Sequence, residues 1–128
     1  MANAFYPQFK DSLMRAEQTL TGHAIQCFLI DSTYYAYLPG HYHVGEISPS
    51  ARIANVQLSG QTLYYGTFDT ADFTWQSIAG PQCEAIILWN ASTTWLISFY
   101  DTGIVGMPVT PNGGNINVVV SASGWFTL

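Results

Sequence analysis

Beyond Gly22 the chain is cut by turn-forming residues into strand-length pieces, and a helical period does not return. Asp31-Ser32-Thr33, Pro39-Gly40, Ser59-Gly60, Gly80-Pro81, Asn90-Ala91-Ser92 and Asn112-Gly113-Gly114 are the punctuation. Each combines residues that tolerate positive φ, fix φ, or close a turn through their own side chains. Between them lie short segments rich in Val, Ile, Phe, Tyr and Trp. Such segments, spaced by roughly ten residues, belong to antiparallel sandwiches and barrel-like rolls. The expected fold is therefore mainly β: an antiparallel β-sandwich, jelly-roll-like, of about eight strands.

One helix is expected, over residues 4–20. Phe5, Phe9, Leu13, Ala16 and Leu20 recur at spacings of three and four and make one apolar stripe. Pro7 fits only because it falls in the first turn, and Gly22 supplies the stop. Lys10, Asp11, Arg15, Glu17 and Gln18 fall on the other side.

The strands are expected at residues 24–31, 52–58, 62–67, 73–78, 83–89, 95–100, 116–120 and 125–128. In the first, Ile25, Cys27 and Leu29 share a face. Residues 83–89 and 95–100 are nearly continuous in apolarity, as in a central pair covered on both faces. Asn90-Ala91-Ser92-Thr93-Thr94 joins them as a hairpin loop. Residues 34–47 show no period and contain Pro39, Gly40 and Gly45, so they read as a long aromatic-rich excursion. With 128 residues and no linker or repeat, one domain spans 1–128, with the helix at 4–20 and the sandwich over 24–128.

Charge narrows the function. Three basic and eight acidic residues give 9% charged and a net charge of −5, where ~25% charged is usual. Nucleic-acid binding needs clustered Lys and Arg, which Lys10, Arg15 and Arg52 do not provide. No apolar run approaches the ~20 residues of a membrane span, and the opening residues lack the pattern of a signal peptide. Synthesis in a cytoplasm is expected, with Cys27 and Cys83 as reduced, packed thiols. Their pairing cannot be deduced from spacing.

Catalytic constellations are sparse. Asp31, Asp69, Asp72 and Asp101 fall at strand ends, where Asp closes turns. Glu84 interrupts an apolar strand and is expected to face solvent or pair with Arg52. His41 and His43, with Glu46 nearby, are the nearest approach to a metal site, yet a closed zinc site wants four ligands. Neither a nucleophile elbow nor a phosphate-cradling loop is present. The expectation is no enzyme, no cofactor and no metal. Tyr is enriched at protein interfaces. The contact residues expected for a partner are accordingly Tyr34, Tyr35, Tyr37, His41, Tyr42 and His43, with residues 1–4 beside them. Deleting residues 34–44 is expected to abolish partner binding and leave the domain folded.

Four segments resemble a family of small structural proteins of tailed bacteriophages. They are Met1-Ala2-Asn3-Ala4-Phe5-Tyr6-Pro7-Gln8-Phe9-Lys10, Ala51-Arg52-Ile53-Ala54-Asn55, Gly66-Thr67-Phe68-Asp69-Thr70-Ala71-Asp72-Phe73-Thr74 and Pro108-Val109-Thr110-Pro111-Asn112-Gly113-Gly114-Asn115-Ile116-Asn117. The first and last are the specific ones. The resemblance implies a virion protein that decorates or cements the outer face of the capsid, bound to the major capsid protein and to copies of itself as homotrimers. It carries over no catalytic residue. Residues 118–125 are more apolar than the family pattern. A tail or baseplate component is the alternative within virions. A carbohydrate-binding module using the tyrosines against a host surface is the alternative outside that class.

Overall fold

The computed structural model describes residues 3–101, 108–120 and 123–128. In chain order the elements are β1 (Ala4–Phe5), α1 (Pro7–Met14), β2 (Ile25–Ile30), β3 (Arg52–Gln57), β4 (Thr62–Tyr64) and β5 (Thr67–Asp69). β6 (Phe73–Trp75), β7 (Ala85–Asn90), β8 (Trp95–Tyr100), β9 (Ile116–Val118) and β10 (Phe126–Thr127) follow. The chain is mainly β, with one helix near its N-terminus. Ten strands occur among the described residues where about eight were expected. They form antiparallel sheets of five (β1-β8-β7-β2-β3), three (β10-β5-β4) and two strands (β6-β9).

The five-stranded sheet is apolar on both faces because its interior strands place a large side chain at nearly every position. Ile25, Cys27 and Leu29 of β2, Ile86 and Leu88 of β7 and Ile97 of β8 face one way. They pack against Phe68, Trp75 and Val118 of the smaller sheets and Phe9 of the helix, which makes the sandwich core. Phe28 and Ile30 of β2, Ala85 and Ile87 of β7, and Leu96 and Phe99 of β8 face the other way. Among the described residues no sheet covers that second face. Tyr6, Tyr35, Ile47 and Ala51, from irregular and 3-10 segments, seal it.

The helix is shorter than the 4–20 expected. At its start, β8 captures the chain: Ala4 pairs with Phe99, Phe5 pairs with Ser98, and the Tyr6 N–H bonds Ile97 O at 3.0 Å. An open strand edge offers unpaired amides and carbonyls, so an extended segment there gains hydrogen bonds that a first helical turn lacks. At its end, Glu17 N bonds Ser12 O (2.9 Å) and Ala16 N bonds Leu13 O (3.1 Å). This is the Schellman arrangement, with Ala16 at φ 60° where glycine is usual. Ala16 thus stops the helix six residues before Gly22.

The stripe still buries its main residues: Phe9 is inaccessible, Leu20 is buried, and Phe5 stacks 6.2 Å from Phe9. Gln18 is not on the exterior. It is buried and accepts from Asn90 Nδ2 at 3.1 Å, while its own amide donates to Ser12 Oγ. Asn90 Nδ2 also meets His23 Nδ1 at 2.9 Å, and Asn90 Oδ1 accepts from the Ser92 and Thr93 amides. A satisfied polar network therefore ties the helix exit to the β7–β8 hairpin.

The segment expected as one strand over 62–67 is a hairpin. Tyr65 (φ 48°) and Gly66 (φ 81°) form a two-residue turn between β4 and β5, with Tyr64 paired to Thr67. Positive φ at both turn positions matches the right-handed twist of the flanking strands. A Cβ on Gly66 would lie 2.9 Å from Leu128 O, so the position admits only glycine without movement. Residues 121 and 122, between the strands expected at 116–120 and 125–128, lie outside the described residues.

Candidate interaction surface

The six residues expected to meet a partner divide between surface and core. Tyr34 is 57% exposed. Tyr35 is buried; its hydroxyl lies 2.7 Å from that of Tyr6 and 2.9 Å from His41 Nδ1. Tyr37 is half-buried, donates to Phe5 O at 2.5 Å, and packs its ring against Tyr6 and Phe99. Tyr42 is exposed at its edge, with its ring 5.1 Å from Trp95. Tyr35 and Tyr37 are thus part of the cover over the sheet's second face. A deletion of residues 34–44 would uncover Ile30, Ile87 and Phe99, so it cannot leave the domain intact as expected.

His43 serves local structure. Its Nδ1 accepts from Gly45 N (2.9 Å) and its Nε2 lies 2.9 Å from Thr94 Oγ1. Since Nδ1 accepts, the proton sits on Nε2 and is donated to Thr94. Glu46 accepts from the amides of Tyr42 (2.6 Å) and His43 (3.1 Å), completing a capping box. Residues 42–44 also extend the edge of β8: Leu96 N bonds Tyr42 O (2.7 Å) and Val44 N bonds Thr94 O (2.9 Å). Among the described residues no three His, Cys, Asp or Glu side chains are grouped to hold a metal ion. Residues 1 and 2 lie outside the described residues, and Ala4 is taken up in β1.

Glu84 does not pair with Arg52. Its carboxylate accepts from Ser32 N at 3.0 Å. The Arg52 guanidinium instead donates to Val44 O and Ile47 O and lies 5.6 Å over the Phe28 ring, fastening the excursion to the sheet. Asp31, Asp69 and Asp72 close turns or bind backbone amides. Cys27 and Cys83 are free and buried. Burial pushes the Cys27 thiol up; burial, with the charges of Asp31 and Glu84, pushes Cys83 up to about 12. Neither setting favours the thiolate a nucleophile needs.

The largest exposed aromatic surface is elsewhere, on the β4–β5 hairpin. Tyr65 is 87% exposed, Tyr64 72% and Leu63 53%, and Leu128 is 59% exposed beside them. The tyrosine rings lie 4.4 Å apart, edge to face. Leu128 is held there by its amide bond to Gly66 O (3.0 Å). Behind the hairpin, Leu13, Leu20, Leu63, Phe126 and Leu128 line an apolar groove. Residues 59–68 carry no charge. Periodicity hides this surface, because the unbroken apolar run Leu63-Tyr64-Tyr65 reads as part of a buried strand. The one available signal is Tyr-Gly as a turn pair, which is weaker than Asn-Gly.

Tyr65 holds a left-handed conformation that costs a residue with a Cβ on the order of 1 kcal/mol. It then presents its ring to water rather than to the core. An apolar, neutral tip of this kind is suited to docking. No protein-family model and no curated protein sequence matches the chain. Among the described residues no helix is long and apolar enough to cross a membrane.

Proposed function

We propose that the chain is a structural protein of a tailed-bacteriophage virion, one that decorates the capsid by binding the major capsid protein and further copies of itself. The observation that carries this is the exposure of Tyr64 and Tyr65 on an uncharged hairpin. Burying a large apolar side chain contributes roughly 1.5–3 kcal/mol. A neutral contact also loses no ion hydration on docking. Repeated over a lattice, modest contacts of this size become durable through avidity. The four resembling segments supply the class of particle, and the poverty of basic residues suits a surface kept away from packaged DNA.

The test is occupancy on purified heads stripped of the protein and then incubated with it. The native chain is expected to rebind at a copy number that matches the capsomer lattice. Tyr64→Ser with Tyr65→Asn is expected to lower occupancy without loss of fold. A few copies per particle, located on the tail, would replace the capsid assignment by a tail or baseplate role. Binding to host polysaccharide in place of heads would favour the carbohydrate module.

A further inference from the structure

The three-stranded sheet ends on an open strand, and its register shows which backbone groups are available. Among the described residues β4 pairs only with β5, and all three of its residues are exposed. Opposite Leu63 stands Phe68, whose carbonyl accepts from Trp125 N at 2.7 Å across the other edge of β5. In an antiparallel ladder the N–H and C=O of one residue point to the same side, so Phe68 faces β10 and Leu63 faces away from β5. The Leu63 amide and carbonyl therefore point outward, and no described residue hydrogen-bonds them.

Natural edge strands are usually blunted by charge, proline or a bulge. Here Gln61-Thr62-Leu63-Tyr64-Tyr65 has no charge and no proline, and its register with β5 is unbroken. We infer that β4 is a self-association edge: it pairs antiparallel with β4 of a second copy, centred on Leu63, and joins two three-stranded sheets into one of six.

The strand's neutrality and its self-complementary register admit a second copy as occupant. In an isologous strand pair each residue lies opposite itself or a near neighbour, so any charge on the strand would face its like. This strand meets that requirement, while the rest of a chain with net charge −5 repels its copies. Area agrees. Leu63, Tyr64 and Tyr65 on this edge are each more than half exposed. At the ~150–250 Å² a tyrosine buries, the four tyrosines of two copies bring together roughly 600–1,000 Å², the size of a weak and reversible contact. Leu63 shares a sheet face with Phe68 and lines the groove with Leu13, Leu20 and Leu128.

The inference rests on the same hairpin as the capsid role and specifies how copies of the chain would meet; it is tested on the purified chain, so its failure leaves head binding to be judged separately. A strand pair of this kind closes on a two-fold axis, so it is distinct from any three-fold contact. Sedimentation velocity of the purified full chain over a wide dilution series, with amide hydrogen exchange on the same samples, tests it. A reversible dimer is expected, with protection of the Leu63 amide that rises with concentration. In Leu63→Lys the dimer dissociation constant is expected to weaken by ~tenfold or more, since charges are set opposite each other. If that variant does not fold, Leu63 exchange in the native chain decides alone. A monomer at all concentrations, an oligomer with an unprotected Leu63 amide, or a dimer indifferent to Leu63→Lys would overturn the inference.

Discussion

The hydroxyls of Tyr6 and Tyr35 meet at 2.7 Å inside the cover of the five-stranded sheet, joining the turn before the helix to the excursion. The bond is unequal in what each partner has besides. Tyr35 also reaches His41 Nδ1 at 2.9 Å, whereas Tyr6 is fully buried and has only Tyr35. Tyr35→Phe would leave the Tyr6 hydroxyl buried without a partner, a loss of about 1–3 kcal/mol. Tyr6→Phe leaves Tyr35 bonded to His41 and is expected to cost less. Urea unfolding of both variants checks the order; equal losses would refute it.

Alkaline pH should destabilise the fold through the same groups. Burial pushes the Tyr35 phenol up to about 12 and raises Tyr6 and Tyr100 well above the ordinary tyrosine range. Burial raises Cys27, and Cys83 rises to about 12. In each case the folded chain holds the proton more tightly than the unfolded one. Their contribution is complete below the unfolded values, near 9 for thiols and 10 for phenols, and is lost as pH rises towards about 12. Melting temperature measured against pH should show no change due to these groups below about 9, where their contribution is complete, and a fall above it. A midpoint unchanged up to pH ~12 would contradict these assignments.

Ala16 ends the helix in a left-handed conformation that glycine adopts without penalty. It is exposed, so no packing is lost on removing its methyl group. Ala16→Gly is expected to raise stability by roughly 1 kcal/mol, read from the denaturant midpoint at unchanged slope. Lower stability would mean that the Schellman turn does not form in solution.

Tyr65→Asn should separate stability from docking. Asn accepts positive φ at the first position of a two-residue hairpin turn, so the variant should gain about 0.5–1 kcal/mol. It also removes the most exposed aromatic ring, so occupancy on phage heads should fall. A variant that gains stability and docks as well as the native chain would remove Tyr65 from the contact.

Much of the central sheet was legible from local pattern. Ile25, Cys27 and Leu29 do share a face, and the two apolar runs become β7 and β8, covered on both sides. Alternation is a property of the strand itself and survives whatever packs on it. The helix was legible in kind but not in extent: pairing with β8 at a remote sequence position takes its first residues, and a left-handed turn at Ala16, where no glycine marks it, ends it early. The six expected contact residues were readable as aromatic and irregular, yet their division into Tyr34 and Tyr42 outside and Tyr35 inside was not. That division follows from which residues reach the sheet's second face. Leu63-Tyr64-Tyr65 escaped notice because exposure is not encoded in a three-residue pattern.

The sequence by itself determined an antiparallel, mainly β chain, poor in charge and with one N-terminal helix, since turn chemistry, side-chain period and net charge are local or additive. Only the tertiary structure decided that irregular segments around Tyr35 and Ile47 replace a third layer, and that an uncharged hairpin stays uncovered. Both outcomes depend on which surfaces meet once the chain is closed, a competition among distant segments for the same sheet edges and faces that no single stretch of residues records.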